Sequence, residues 1–182
     1  LSKLTPTLTN AAKGVTVKWS KDANATGYIV YRKTGTEKYK KLTTIKKNTT
    51  VSYTDTTAVN STTYKYKVCS YRGSETGAAV EKTIVRLSDV TISSVKNSAS
   101  KALTAKWKKN AKATGYQLQY SLKKDFSKAT TVTIAKASTV SSTIKKLAKG
   151  KTFYVRIRAY KTVDGTKYYS PWSAAKSVKI AK

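Results

Sequence analysis

Val15-Thr16-Val17-Lys18-Trp19, followed by Ala25-Thr26-Gly27-Tyr28, decides the architecture because the chain contains it twice. Leu103-Thr104-Ala105-Lys106-Trp107 and Ala113-Thr114-Gly115-Tyr116 repeat it, with Trp19 and Trp107, and Gly27 and Gly115, each 88 residues apart. A second pair of runs, Thr63-Tyr64-Lys65-Tyr66-Lys67-Val68 and Thr152-Phe153-Tyr154-Val155-Arg156-Ile157, recurs at 89. A repeat of this length is a whole small domain, not a solenoid unit of ~20–50 residues. The chain therefore reads as two copies of one domain, residues 1–86 and 87–182, each within the size range that folds alone.

Inside each copy the apolar period is two. Val15, Val17 and Trp19 alternate with Thr16 and Lys18, and Phe153, Val155 and Ile157 alternate with Tyr154, Arg156 and Arg158. One apolar and one polar face is the pattern of half-buried antiparallel strands, and enrichment in Thr, Val, Ile and Tyr agrees with it. No segment sustains a helical period. Turn signals such as Gly35 and Asp164-Gly165 fall at short intervals. The expectation is an all-β chain of two immunoglobulin-like sandwiches in tandem, about seven strands each. Pro6 suits an edge position at the first strand, where a missing N–H is tolerated. Between the copies, Ile84–Val90 holds neither Gly nor Pro. It reads as a short linker that limits bending and sets the domains end to end.

An inward Trp on the second strand, Ala-Thr-Gly-Tyr opening the third, and Tyr-x-Tyr-x-Val or Phe-x-Val-x-Ile on the sixth resemble fibronectin type III domains. The resemblance covers both copies and is nearest to the Lys- and Thr-rich tandem versions in secreted and surface proteins of Gram-positive bacteria. It implies that Trp19 and Trp107 are core anchors. It also implies that Tyr64 is a corner tyrosine whose hydroxyl ties the connection into the sixth strand. Phe153 stands at that place in the second copy and has no hydroxyl. For function the resemblance implies a spacer, an adhesion module or a receptor module alike. No Arg-Gly-Asp triplet is present.

The charge balance is extreme, with 37 Lys and Arg against 8 Asp and Glu, a net +29. The first copy carries +11 and the second +18. Such a field favours polyanions and opposes self-association, so a monomer is expected. Of the cations 32 are Lys and 5 are Arg. The charge is therefore mostly mobile points rather than the planar forks that read bases, and no specific nucleic-acid recognition is expected. No apolar run approaches the ~20 residues that span a bilayer. The chain opens at Leu1-Ser2-Lys3 and reads as a piece of a longer secreted or cell-surface protein whose targeting signal lies elsewhere.

Catalysis has little to work with. There is no His, and the lone Cys69 excludes an internal disulfide or a thiolate metal cage. The eight acids (Asp22, Glu37, Asp55, Glu75, Glu81, Asp89, Asp125 and Asp164) fall among turns and outward positions with no pair spaced for acid–base work. They do not cluster for calcium either, and no cofactor is expected. Cys69 points outward on the sixth strand, where an incidental surface thiol is the plainer reading than a reactive one. The sequons at Asn24, Asn48 and Asn60 carry meaning only in a eukaryotic secretory protein.

Two groups of residues remain as candidate binding sites. Lysines group at Lys38, Lys40, Lys41, Lys46 and Lys47 in the first copy and at Lys106, Lys108, Lys109 and Lys112, then Lys145, Lys146, Lys149 and Lys151, in the second. They could meet an anionic polymer, Lys106, Lys108, Lys109, Lys145 and Lys146 foremost, although lysines at alternate positions also make an ordinary solvated face. Tyr168, Tyr169 and Trp172 lie on the return limb of the hairpin around Asp164-Gly165, about six residues longer than its counterpart after Tyr71. Exposed aromatics there could grip a glycan. The preferred alternative is a ladder in which Arg156 and Arg158, two of the five arginines, stack on Trp172. The reading is a non-catalytic spacer that presents flanking domains of its parent protein. Its alternative is a binding module for anionic cell-wall polymer or glycan, for example accessory to a carbohydrate-active enzyme.

Overall fold

The computed structural model describes residues 1–181, which contain strands, turns and bends and no helix. They form two compact units, one spanning Leu1–Arg86 and the other from Leu87 onward. The first unit has strands β1 Thr7–Ala11, β2 Gly14–Lys18, β3 Gly27–Thr34, β4 Lys40–Ile45, β5 Ser52–Asp55, β6 Thr63–Arg72, β7 Glu75–Thr76 and β8 Lys82–Val85. The second has β9 Ile92–Ala99, β10 Ala102–Trp107, β11 Gly115–Ser121, β12 Thr130–Ile134, β13 Ser141–Ile144, β14 Thr152–Val163, β15 Thr166–Tyr169 and β16 Lys176–Lys179.

Each unit is a sandwich of two antiparallel sheets. The first pairs a three-stranded sheet, β1-β2-β5, with a larger one ordered β4-β3-β6-β7 in which β8 also pairs β6. The second repeats this as β9-β10-β13 and β12-β11-β14-β15, with β16 on β14. Three strands facing four in this order is the fibronectin type III arrangement, and the chain is two such all-β sandwiches in tandem.

Each unit has eight strand segments where the sequence suggests about seven, because the last strand is broken in two. Both β7 and β8 pair with β6, and both β15 and β16 with β14. In the second unit Ser170 and Ser173 span the break. Their backbone N–H groups donate to Ala159 and Ile157, and their hydroxyls accept from the N–H groups of the same two residues. Side-chain oxygens thus replace ladder carbonyls around Pro171, which has no N–H to give. The second hairpin is four residues longer than the first rather than about six, since Tyr71 pairs Thr76 whereas its counterpart Tyr160 pairs Tyr169.

Alternation places Val15, Val17, Trp19, Tyr28, Val30, Tyr66 and Val68 in the first core, and Leu103, Trp107, Tyr116, Leu118, Val155 and Ile157 in the second. Pro6 is buried just before the edge strand β1. Ile84–Val90, read from sequence as a linker, belongs largely to the two sandwiches. Ile84 and Val85 end β8, Arg86 exchanges backbone hydrogen bonds with Ser61 and Thr62, and Leu87 and Val90 join the second core. The apolar character of this stretch is the reason: four of its side chains are core residues rather than tether.

Candidate functional site

The repeated motif is structural in both copies. Trp19 and Tyr28 meet edge-on with ring centres 5.3 Å apart, and Trp107 and Tyr116 at 5.5 Å. The Tyr28 hydroxyl accepts from Asp22 N and donates to Asn48 O, both at 2.9 Å. Tyr116 does the same with Asn110 N at 2.9 Å and Ala137 O at 3.2 Å. A side chain at Gly27 would overlap the Ile45 carbonyl, and one at Gly115 would stand 2.6 Å from Tyr160 Oη. The glycine lets the neighbouring strand and a tyrosine close over the start of the third strand.

Tyr64 Oη accepts a 2.9 Å hydrogen bond from Val59 N, in the connection between β5 and β6. At the equivalent corner Phe153 is buried against Tyr120, 6.2 Å between ring centres. The corner is held there by Leu147 N to Lys101 O at 2.9 Å and Gly150 N to Ile180 O at 2.7 Å.

The expectation that all eight acids sit on turns or outward positions holds for Asp22, whose carbonyl closes a turn with Ala25 N, and fails for Asp55, which faces inward at the end of β5. Asp22 and Asp55 are both buried. Asp22 accepts from the backbone N–H groups of Ser2 and Asn24. Asp55 ends β5 facing inward, where it meets Arg32 Nη1 at 2.6 Å, Tyr66 Oη at 2.6 Å and Thr57 Oγ1 at 2.7 Å. Burial pushes the Asp55 carboxyl up, but hydrogen bonds from Tyr66, Thr57 and Arg32 outweigh it and hold the group below the usual carboxylate range. In the second unit the corresponding positions are Ile144, Tyr120 and Val155. The same sandwich is built there without the buried charge. A single Asp at the end of an alternating strand was the available signal.

Arg156 and Arg158 lie on the outer face of β14, where they form a stack of five side chains. Phe126, Arg156, Trp172, Arg158 and Tyr169 alternate, with guanidinium-to-ring-centre distances of 4.1, 4.5, 4.4 and 3.8 Å. Each guanidinium is fixed by its cross-strand neighbour. Arg156 Nε donates to Gln119 Oε1 at 2.9 Å, and Arg158 Nε and Nη2 to Gln117 Oε1 at 3.0 and 2.7 Å. Phe126, at φ +61°, reaches its place from a turn tied by Ser127 N to Asp125 Oδ1 at 2.9 Å. Trp172 is half-buried and already has two guanidiniums within 4.5 Å of its ring centre, so its ring is engaged within the stack. Tyr168 is half-buried on the opposite side of β15 from Tyr169. The hairpin aromatics do not form one platform.

The candidate lysines are likewise not one site. Lys106 is exposed in the middle of the three-stranded sheet of the second unit. Lys108 and Lys109 follow β10 at one end of that sheet. Lys145 and Lys146 follow β13 at the other, because β13 runs antiparallel to β10 with Leu103 opposite Ile144. All five are exposed.

A second charged cluster, which sequence spacing does not reveal, lies on the outer face of β3 and β6. Lys33 and Lys65 are cross-strand partners whose repulsion is relieved by Glu81, which lies 3.8 Å from Lys33 Nζ and 2.5 Å from Lys65 Nζ. Lys65 and the Tyr39 hydroxyl pull the Glu81 carboxyl down to about 2. The Lys67 ammonium lies 4.5 Å from the Tyr39 ring centre and 5.3 Å from that of Tyr31. Cys69 is half-buried on the same face, opposite Ile29, and burial pushes its thiol up, away from the nucleophilic thiolate. Among the described residues no three His, Cys, Asp or Glu side chains are grouped to hold a metal, and no helix is long and apolar enough to cross a membrane.

No model of a known protein family matches the chain, and no curated protein matches it. Among solved structures, the FN1–FN3 domains of chicken CNTN1 are similar over 99% of this chain and 68% of that one, at 20% identity and a TM-score of 0.48. A two fibronectin type-III domain segment of chicken tenascin is similar over 98% of this chain and 99% of that one, at 13% identity and a TM-score of 0.44. The fold assignment rests on the strand order and register described above.

Proposed function

We propose that the chain is a non-catalytic presentation module of a larger secreted or cell-surface protein of the Gram-positive bacterial kind, setting the reach of the domains that flank it. One observation carries this reading: the chemically distinctive side chains are already engaged in building the sandwiches. Asp55, Arg32 and Tyr66 satisfy one another, Trp172 stacks with Arg156 and Arg158, and Tyr28 and Tyr116 spend both hydrogen-bonding capacities on loop backbone. What is left on the surface is mainly lysine and hydroxyl.

The test is a replacement within the parent protein. An unrelated tandem of two sandwiches of the same length is put in place of this chain, and the activity of the flanking domain is measured on an uncharged support. Retained activity is expected, together with loss when the tandem is deleted outright. Loss on replacement would show that the chain contributes more than distance. The second reading, a binding module, is favoured on its anionic-polymer side by the absence of acids from one face of the second unit. Its glycan side is disfavoured by the engagement of Trp172 with Arg156 and Arg158.

A further inference from the structure

We propose that the outer face of the β9-β10-β13 sheet is a contact site for a flexible polymer of hydroxylated units joined by phosphodiesters. The register sets the face residue by residue. Lys96 lies opposite Thr104, which lies opposite Thr143; Lys106 lies opposite Ser94 and Ser141. Each outward position in these two rows is thus an ammonium or a hydroxyl. The eight acids lie in loops, in hairpins, beside β8 or, as Asp55, in the first core, and none is on this face. Among the described residues every ion pair belongs to the first unit, so this face keeps its charge uncompensated.

The face is also shaped. Pairing between β9 and β10 slips between Ala102 and Thr104, a bulge that bends the edge strand. Asn97 fixes the bend by donating to Ala99 O at 2.8 Å and Ala102 O at 2.7 Å and accepting from Ala181 N at 3.0 Å. The result is a depression of about 350 Å³ lined by Ser94, Lys96, Asn97, Ser98, Thr104 and Lys106, within the size range of small-molecule sites. Thr104 Oγ1 is oriented in it by Ser98 Oγ and Thr143 Oγ1, both at 2.8 Å. The first unit lacks both features. Its β1 pairs β2 without a slip, and Thr9 stands opposite Thr16 where the second unit has Lys96.

The chemistry of the ligand follows from what the face offers. Lys96 and Lys106 are diagonal neighbours on adjacent strands, ~7–8 Å apart at the backbone, and so address two separate negative charges rather than one. Lysine is a compact point charge suited to a single phosphate oxygen, whereas no Arg fork is present on the face. No aromatic projects there, which removes the platform on which bases stack. The surrounding hydroxyls pair with a hydroxylated backbone. A polyol phosphate meets all of these conditions.

The test titrates the whole chain with poly(glycerol phosphate) at about 50 mM salt, with hyaluronate and single-stranded DNA as competing polyanions. Binding is expected to fall with salt. K96Q/K106Q should weaken it at least about fivefold and reduce the log–log salt slope by roughly 1.5, taking ~0.7–0.9 per neutralised phosphate. K40Q/K41Q, which removes the same charge from β4, should change it less than about twofold. All four lysines are exposed, and unfolding temperatures check that each variant is folded. Equal losses from the two variants, no binding at all, or equal binding of hyaluronate or DNA would each overturn the proposal. Such a failure would leave the spacer reading standing, because that is tested on an uncharged support.

Discussion

The Asp55 carboxylate accepts a 2.6 Å hydrogen bond from Tyr66 Oη inside the first unit, and the second unit has Ile144 and Val155 at the same two places. The two sandwiches should therefore respond differently to acid. Asp55 is held below the usual carboxylate range despite burial, through Tyr66, Thr57 and Arg32. A carboxyl with a depressed folded pKa stabilises fully above its unfolded value, about 3.9, and loses that contribution as pH falls through the folded value. Glu81, pulled to about 2 by Lys65 and Tyr39, adds a smaller effect of the same sign that salt screens. Calorimetry of the whole chain between pH 7 and pH 2 should show the first unit's transition dropping more steeply below about pH 4. A parallel decline of both transitions would contradict this.

The same comparison predicts the outcome of exchanging the cluster. Removing only Asp55, as Asp55→Ala, leaves Arg32 and Tyr66 facing a cavity and should cost about 3 kcal/mol, the lower end for breaking a buried pair, because Arg32 is partly exposed. Importing the second unit's residues together (Arg32→Tyr, Asp55→Ile and Tyr66→Val) should be near neutral or stabilising, since apolar packing often replaces a buried ion pair without loss. Denaturant midpoints of the two variants, measured at neutral pH, test this. A triple variant as unstable as the single one would mean that the polar cluster specifies the first fold and is not interchangeable.

The sequence made the sandwiches legible because period-two alternation is the imprint of a half-buried strand and the 88-residue echo that of a repeated domain. It made the candidate sites less legible, for three physical reasons. Lys106, Lys108, Lys145 and Lys146 look clustered by type, but antiparallel pairing sends the loops after β10 and β13 to opposite ends of one sheet. Asp55 looks like a turn residue until its register opposite Val15 turns it inward. Lys96 carries no signal of its own in the sequence, since only the slip between β9 and β10 places it beside the depression. The partners of Trp172 were half visible: Arg156 and Arg158 follow from alternation, whereas Phe126 enters from a turn.

Tyr28 and Tyr116 should prove to be twin keystones of their own units. Each hydroxyl satisfies one backbone N–H and one carbonyl. Tyr→Phe at either position leaves both groups without that partner, at a cost of about 1–3 kcal/mol. Asp22 N is the more deeply enclosed, so Tyr28→Phe should cost more than Tyr116→Phe. Separate unfolding transitions of the whole chain should show each substitution lowering its own unit's transition and sparing the other. Equal shifts of both transitions from either variant would indicate one cooperative unit in place of two.

The stack around Trp172 should stabilise through geometry more than through charge. Arg158 sits 3.8 Å from the Tyr169 ring centre and 4.4 Å from that of Trp172 while donating twice to Gln117. Arg158→Lys keeps the positive charge but loses the planar group that can stack on both sides and bond Gln117 at once. It should destabilise the second unit by about 1–2 kcal/mol, from stacking contacts of ~0.5–1 kcal/mol each. Arg158→Gln should cost a similar amount, because the charge is the smaller part of what is lost. If Arg158→Lys were silent and only Arg158→Gln destabilised, the contribution would be electrostatic. Unfolding midpoints of both variants at low and high salt separate the two cases: a stack dominated by shape shifts little with salt, and a charge contact is screened.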